Sequence, residues 1–171
     1  MKSNSLNIRA AKESDLDEIL LLYKACTVKM NQSGLFNWHT TYPNRETILN
    51  DIQNATLFLI ETDRIHGAVA LNDDQPFEYK DIHWEYHIEP YLVVHRLAIA
   101  PDQQGKGYGI LLMEYAEELA RSLNCPSIRM DVYTINTPGR SLYRKLNYKE
   151  LNEFYFPGFE TPFIGLEKKI D

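Results

Sequence analysis

One stretch constrains the fold more than any other: an apolar run, a polar turn, three alternate glycines and an amphipathic segment. Residues 91–100 are predicted to form a buried strand, and residues 107–123 repeat apolar side chains at helical spacing. Gly105, Gly107 and Gly109 lie at the junction of the two. Glycines there let the backbone approach a ligand closely and present free N–H groups at a helix N-terminus, so the stretch predicts an anion site.

Two common nucleotide-binding patterns fail on this turn. A P-loop requires Gly-x-x-x-x-Gly-Lys-Ser/Thr, but Ala100 stands at its first glycine, and Gly107 follows Lys106 where Ser or Thr is needed. A dinucleotide fingerprint requires Gly-x-Gly-x-x-Gly, and its last position falls on Ile110 or Leu112. A nucleotide-phosphate binder is therefore an alternative that lacks its usual residues.

The rest of the chain predicts a mixed α/β fold in a single domain, residues 1–171. Periodicity and turn residues predict the order β-α-α-β-β-β-α-β-α-β-β, with an antiparallel first half and a β-α-β unit in the second. Residues 56–61 and 65–71 are expected to pair as a tight hairpin. Thr137 is expected to cap a short helix that Asn147 ends in a left-handed conformation. The other predicted elements are strands at 7–11, 127–133, 149–155 and 162–167 and helices at 14–30 and 43–54.

Gln104, Gly107 and Gly109 match the pattern Gln/Arg-x-x-Gly-x-Gly/Ala, which resembles the acetyl-CoA motif of the GNAT superfamily of N-acetyltransferases. The element order is similar to that family over essentially the whole chain. The resemblance implies a GNAT-like acyl-CoA N-acyltransferase fold, with a central, mixed, largely antiparallel sheet flanked by helices. It also implies acetyl-CoA as co-substrate, with its pantetheine arm along the strand and its pyrophosphate on the turn. The residues implied are Leu97, Ala98, Ile99, Gln104, Gly105, Lys106, Gly107, Tyr108 and Gly109.

A second segment resembles the family's other signature, Asn-x-x-Ala-x-x-Leu-Tyr-x-x-x-Gly-Phe. Asn136, Leu142 and Tyr143 match it, whereas Gly139 replaces the Ala and Asn147 replaces the Gly. The resemblance implies that Asn136 contacts the pantetheine arm and that Tyr143 donates a proton to the departing thiolate. The ordinary pKa values of a phenol and a thiol are close enough for that transfer. A tyrosine that only packs its ring in the core is the alternative.

A base is expected as well, because a protonated alkylamine must lose a proton before it attacks. Family members often carry a carboxylate on the central strand, but the comparable position here is Val93. His95 lies two residues further on the same strand face, and histidine suits proton transfer at neutral pH. Glu85 and His87 are further candidates, and a core histidine is the competing interpretation of His95. Arg96 is expected to face the other way and to be structural.

The acidic-aromatic segment, residues 73–89, is expected to border the acceptor site. We hypothesise that it receives a cationic amine by charge and cation–π contact; a solvated loop with aromatic rings packed beneath is the alternative. Trp38 is a further candidate for the same cleft. The segment contains Asp73, Asp74, Glu78, Asp81, Glu85 and Glu89 against one lysine, with Tyr79, Trp84 and Tyr86 interleaved.

The composition limits the binding partners and the cellular location that can be expected. The formal net charge of −6 argues against broad nucleic-acid binding, which needs a positive surface. Cys26 and Cys125 have no metal-ligand spacing, so no metal is expected. The first five residues lack the apolar run of a signal peptide, and no stretch is apolar enough to span a membrane, so a cytoplasmic protein is expected.

The acceptor is expected to be a small-molecule or peptidyl amine, and the resemblance is compatible with a homodimer. A CoA-binding regulatory module and an enzyme for longer acyl-CoA donors are the alternatives.

Overall fold

The computed structural model describes residues 5–171, so most of the segment that predicts the lack of a signal peptide lies outside the described residues. The order of strands and α-helices is the predicted one. The helices are α1 (Leu16–Gln32), α2 (Arg45–Gln53), α3 (Tyr108–Ser122) and α4 (Thr137–Lys145). The strands are β1 (Asn7–Ala10), β2 (Leu57–Glu61), β3 (Ile65–Asn72), β4 (Tyr91–Ile99), β5 (Ser127–Tyr133), β6 (Lys149–Phe154) and β7 (Phe163–Lys169).

The strands form one seven-stranded sheet in the order β1-β2-β3-β4-β5-β7-β6. β2 pairs antiparallel with β1 and β3, and β7 pairs antiparallel with β5 and β6. β4 and β5 are parallel and are joined through α3, so they form the predicted β-α-β unit. The predicted fold class, a mixed and largely antiparallel sheet with helices, is confirmed.

The chain divides into two compact units, each of which is described by itself. The first comprises described residues 5–71 and His95–Tyr115. Its core holds the apolar stripe of α1, which includes Ile19 and Tyr23, together with apolar side chains of β2 and β3. Gly67 on β3 allows close packing, because a Cβ there would lie 2.8 Å from the carbonyl oxygen of Ala98.

The second unit comprises Asn72–Val94 and Ala116–Asp171. Its β5-β7-β6 sheet carries part of the acidic-aromatic segment on one face: Ile82 packs on Gly165 of β7, where a Cβ would lie 2.5 Å from the Ile82 side chain. Asn136, and not the predicted Thr137, caps α4, because its Oδ1 accepts the Gly139 N–H. Asn147 has a φ of +64°, which confirms the left-handed residue predicted after this helix.

That residues 1–171 form a single domain stays a prediction. Within the described residues, no helix is both long enough and apolar enough to cross a bilayer.

Candidate active site

The glycine turn has the conformation that an anion site requires. Gly105 and Gly107 have φ values of +80° and +89°, which L-residues adopt only at a cost. No heavy atom lies within 4 Å of the position where a Cβ would stand at either glycine. α3 begins at Tyr108, directly after the turn, so the first N–H groups of this helix have no partner inside it. The turn therefore offers open space and backbone donors to a phosphate group.

Side chains hold this turn against the end of β4. Gln104 Nε2 donates to the carbonyl oxygen of Ile99 over 3.1 Å, and Cys26 Sγ donates to the same oxygen over 3.2 Å. Lys106 Nζ donates to Gln103 Oε1 over 3.0 Å, so its ammonium group stays beside the turn while the residue remains exposed. Burial raises the pKa of Cys26 to about 12, so its thiol is neutral and serves as a donor, not a nucleophile.

Tyr108, the first residue of α3, stacks on His66. The two rings are 4.9 Å apart at their centroids and nearly parallel, with an angle of 2°. His66 is held from both sides, since its Nε2 lies 2.7 Å from Thr62 Oγ1 and its carbonyl oxygen accepts the Ala100 N–H. This support was not predictable from the sequence, because a histidine in a hairpin has no fixed spacing from the glycine turn.

The centre of β4 is distorted at Arg96, whose φ is +52°. Its guanidinium forms a buried ion pair with Asp51 at 2.7 Å and also donates to the hydroxyl of Tyr42, which confirms the structural role expected for it. Tyr23 Oη donates to the Arg96 carbonyl oxygen over 2.8 Å. These contacts hold a strained conformation inside a strand, a feature that re-aims neighbouring peptide groups and is frequent beside active sites.

The two β4 positions considered for the base differ in exposure. Val93 is completely buried and has no ionisable group. His95 is half-buried and directly precedes the distorted Arg96. Its role as the base stays a prediction.

The second motif places Asn136 and Tyr143 on α4. A Cβ at Gly139 would lie 2.8 Å from Asn136 Nδ2, so the departure from Ala to Gly makes room for the amide that caps the helix. Tyr143 is only 8% exposed, and its ring lies 6.2 Å from that of Tyr148. Burial, and to a smaller extent the Asp131 carboxylate, raise the pKa of Tyr143 above its usual range. Tyr143 is therefore a neutral hydrogen-bond donor at physiological pH.

The basic side chains near the second motif are engaged with a carboxylate. Arg140 Nε donates to Glu150 Oε1 over 2.8 Å, and Arg144 lies 3.2 Å from the same oxygen. This pairing favours a structural role for both arginines.

The acidic-aromatic segment is anchored by its rings. Trp84 Nε1 donates to the Tyr79 carbonyl oxygen, and the Arg129 guanidinium lies over the rings of Trp84 and Tyr91 at 4.5 and 3.5 Å. Arg129 is buried, pairs with Glu167 and donates to the Tyr86 carbonyl oxygen. The exposed acids of the segment are Asp73, Asp74, Asp81, Glu85 and Glu89.

Trp38 packs inside the core of the first unit, with its ring 5.4 Å from that of Tyr23. Among the described residues, no group of three histidine, cysteine or carboxylate side chains is arranged to hold a metal ion.

Asp131 on β5 is a candidate that sequence reasoning missed. Its Oδ2 accepts a hydrogen bond of 2.8 Å from the Tyr79 hydroxyl. Burial raises the pKa of Asp131 to about 6, although the Tyr79 hydrogen bond opposes that rise. The signal available in the sequence was the run of polar residues Ser127, Arg129 and Asp131 at alternate positions of an otherwise apolar strand.

Comparisons with known proteins point to one family. The acetyltransferase (GNAT) family matches residues 18–148. No curated protein matches the chain. Among solved structures, a GNAT family acetyltransferase from Streptococcus agalactiae is similar, with a TM-score of 0.82 and 24% identity, over 97% of this chain and 96% of that one.

Two further similar structures carry the cofactor. The acetyltransferase YncA from Salmonella typhimurium, with its cofactor acetyl-CoA, has a TM-score of 0.72 and 15% identity, over 97% of this chain and 94% of that one. The PaiA N-acetyltransferase from Thermoplasma acidophilum, in complex with coenzyme A, has a TM-score of 0.73 and 20% identity, over 96% and 99% of the two chains. Because the family match covers well over half of a chain that also has this fold and this glycine turn, the protein belongs to the GNAT family and is an acyltransferase.

Proposed function

We propose that this enzyme transfers an acetyl group from acetyl-CoA to a primary amine by direct attack in a ternary complex. The observation that carries the proposal is the glycine turn, where Gly105 and Gly107 have positive φ values and open space in front of α3. The similar structures of YncA and PaiA, which contain acetyl-CoA and coenzyme A, support the choice of donor.

The turn would bind the donor's pyrophosphate through its backbone. The N–H groups of residues 104–109 and the positive end of α3 stabilise negative charge. Gly105 and Gly107 allow close approach, because side chains there would occupy the space beside the turn. Lys106 adds an exposed positive charge. The strand residues Leu97, Ala98 and Ile99 and the amide of Asn136 are proposed to contact the pantetheine arm.

Polarisation of the thioester carbonyl is assigned to backbone amides of β4. The left-handed conformation of Arg96 changes the direction of the peptide groups that follow it, and so favours a role for the Leu97 N–H. Donors fixed before the reaction stabilise a developing oxyanion without reorganisation. We therefore propose a mechanism that needs no metal ion.

Tyr143 is proposed to protonate the departing thiolate. Its raised pKa means that the phenol keeps its proton at physiological pH and is present as a donor when the thiolate leaves. His95 is the base expected from the sequence, and its half-buried position on β4 leaves that role a proposal.

The acceptor is proposed to be a small-molecule or peptidyl amine, and a cationic one is favoured. The exposed acids of the acidic-aromatic segment support this preference, because they lie on a chain with a net charge of −6. Nucleic acid and membrane are not proposed as partners; a cytoplasmic location and a homodimer remain predictions.

Thermal unfolding of the purified protein with acetyl-CoA, free CoA, ATP and NAD tests the donor site. A ligand present at a hundred times its Kd stabilises the fold by about 2.7 kcal/mol, which gives a measurable rise in Tm. Stabilisation by the two CoA compounds alone supports the proposal. Stabilisation by ATP but by neither CoA compound contradicts it and favours a nucleotide-phosphate site.

Release of free thiol in the presence of an amine panel tests the transfer. The panel pairs each diamine with the monoamine of the same chain length, and each amino acid with its peptide, so that charge and acceptor class are varied separately. Repeating it with propionyl-CoA and butyryl-CoA tests the acyl group. Acetyl-CoA binding without thiol release from any amine would favour a regulatory module, and faster release from a longer acyl-CoA would change the donor.

A further inference from the structure

Asp131 on β5 lies beneath part of the acidic-aromatic segment and belongs to neither of the two sequence motifs. It lies opposite Gly165 in the antiparallel register of β5 and β7. Ile82 packs on Gly165, and the Tyr79 hydroxyl donates to Asp131 Oδ2 over 2.8 Å. Tyr79 and Ile82 are both buried, so part of the acidic-aromatic segment packs on the face that Asp131 shares with Arg129, while Asp131 itself is half-buried.

The basic residue on the same face of β5 is engaged with other groups. Arg129, two residues earlier on the same face, is committed to Glu167, to Gln75 Oε1 at 2.7 Å and to the Tyr86 carbonyl oxygen. In the part of the chain that the structure describes, no lysine or arginine forms an ion pair with Asp131. The Tyr79 hydroxyl donates to Asp131, and the charge of Asp131 in turn acts on Tyr143. A half-buried carboxylate that pairs with no cation in residues 5–171 destabilises the fold, and such a group is a candidate for a functional role.

We propose that Asp131 is the general base that accepts the proton of the acceptor amine, with Tyr79 as the residue that positions its carboxylate. The inference rests on the proposed acetyl transfer and assigns the base to β5, not to His95 on β4. Its electrostatic interaction with Tyr143 connects it to the proposed acid of the same reaction. The missing cation is then the ammonium group of the acceptor itself.

The proton balance of the reaction assigns one step to each group. One N–H bond of the ammonium breaks, and its proton moves to Asp131 as the nitrogen lone pair attacks the thioester carbon. The C–S bond breaks when the carbonyl re-forms, and the thiolate takes the proton of Tyr143. The second nitrogen proton of the adduct returns to the Tyr143 oxygen. Asp131 releases its proton to solvent, so the net products are amide, free CoA thiol and one proton.

The pH dependence follows from the ionisation of Asp131. The base works only when it is ionised, so kcat/KM should fall as the pH drops through the pKa of Asp131, which lies near 6. The hydrogen bond from Tyr79 lowers that pKa, since it stabilises the charged form. Loss of the Tyr79 hydroxyl should therefore move the acid limb of the profile to higher pH.

The experiment measures kcat/KM from pH 5 to pH 9 for the wild type and for D131N, Y79F and H95Q, with the best acceptor of the amine panel. We expect D131N to lose about a hundredfold or more in kcat/KM, and to lose the acid limb. We expect Y79F, which loses the contact that positions the carboxylate, to lower the pH-independent kcat/KM by about tenfold and to shift its acid limb to higher pH. D17N, which removes a carboxylate that is 92% exposed on α1, is the matched control and should resemble the wild type.

Three outcomes overturn the inference. An acid limb that persists in D131N and disappears in H95Q assigns the base to His95. Full activity in D131N removes any catalytic role from Asp131. A wild type that binds acetyl-CoA but acetylates no amine overturns the proposed function, and with it this role. If D131N no longer shows the Tm rise with acetyl-CoA, its loss of activity does not identify the base, and the Y79F profile is used instead. An acid limb that does not shift in Y79F contradicts the positioning role of Tyr79.

Discussion

At the scale of single residues, burial changes what Tyr143 is able to do. A phenol in water is a weak acid, and the surroundings of Tyr143 raise its pKa further. We predict that Y143F lowers kcat by about a hundredfold, because the thiolate then leaves without its proton donor. The Kd of acetyl-CoA should stay within about threefold of the wild type, since the turn residues are untouched. Stopped-flow thiol release and calorimetric titration separate the two quantities.

Tyr155, which is 57% exposed, provides the matched control. Y155F removes the same hydroxyl from a solvent-exposed position and should leave both kcat and Kd unchanged. A Y143F enzyme with the wild-type kcat would reduce Tyr143 to a packing residue.

The raised pKa of Asp131 predicts that this residue lowers the stability of the fold while it supports activity. Its pKa is about 6 in the folded protein against 3.8 for the ordinary side chain, so the folded state binds more protons between those values. Stability therefore falls as the pH rises from about 4 to about 6 and stays lowered above it. Two pKa units correspond to about 3 kcal/mol as an upper limit. We predict that D131N is more stable than the wild type by about 1–2 kcal/mol at pH 7.5, because partial exposure reduces the full value.

Urea unfolding at pH 4 and pH 7.5 measures this effect. The stabilisation of D131N should vanish at pH 4, where the wild-type carboxyl is itself protonated, and the asparagine still accepts the Tyr79 hydrogen bond. An equal difference at both pH values would mean that the charge of Asp131 carries no cost in the fold.

At the scale of secondary-structure elements, the glycine turn combines a backbone requirement with a ligand requirement. G107A places a Cβ at a φ of +89°, where an L-residue is strained by about 1–2 kcal/mol. The Cβ also enters the open space beside the N-terminus of α3. We predict that G107A loses this stability and in addition raises the Kd of acetyl-CoA at least tenfold.

Gly34 separates the two effects. It follows α1 with a φ of +79°, and it too has no heavy atom within 4 Å of its Cβ position. G34A should therefore lose the same stability while keeping the wild-type Kd, measured by calorimetric titration. Equal Kd values for G107A and G34A would show that the turn does not approach the donor.

The elements also differ in how well the sequence predicted them. The hairpin of β2 and β3, the β4-α3-β5 unit and the left-handed Asn147 were all predictable, because periodicity and turn residues act over a few positions. The cap of α4 was assigned one residue too late, since Thr137 and Asn136 are both good capping residues. The distortion at Arg96 was not predictable, because it depends on Asp51 and Tyr23 from distant helices.

At the scale of the whole molecule, the prediction of a single domain concerns cooperativity. The sequence contains two tryptophans, Trp38 in the first compact unit and Trp84 in the second. We predict that W38F and W84F, each with one reporter left, unfold in urea with the same midpoint by fluorescence and by far-UV circular dichroism. Coincident transitions are expected of a single cooperative domain.

The circular dichroism midpoint of each variant serves as its own control. It reports on the whole chain and already includes the loss of stability caused by the substitution. Fluorescence midpoints that differ from it in opposite directions would mean that the two compact units unfold separately. The family and the fold would then stand, and the single-domain prediction would be wrong.

The sequence by itself determined the element order and the family, and it predicted the place of the donor site. These depend on local rules: alternating apolar residues, glycines where φ is positive, and short motifs within about ten residues. Only the tertiary structure decided the surroundings of Asp131 and Arg129, whose partners Tyr79, Tyr86 and Glu167 lie far from them along the chain. A carboxylate acquires its pKa from neighbours that folding brings together. The alternating polar residues of β5 draw attention to Asp131, but they do not show which partners it meets.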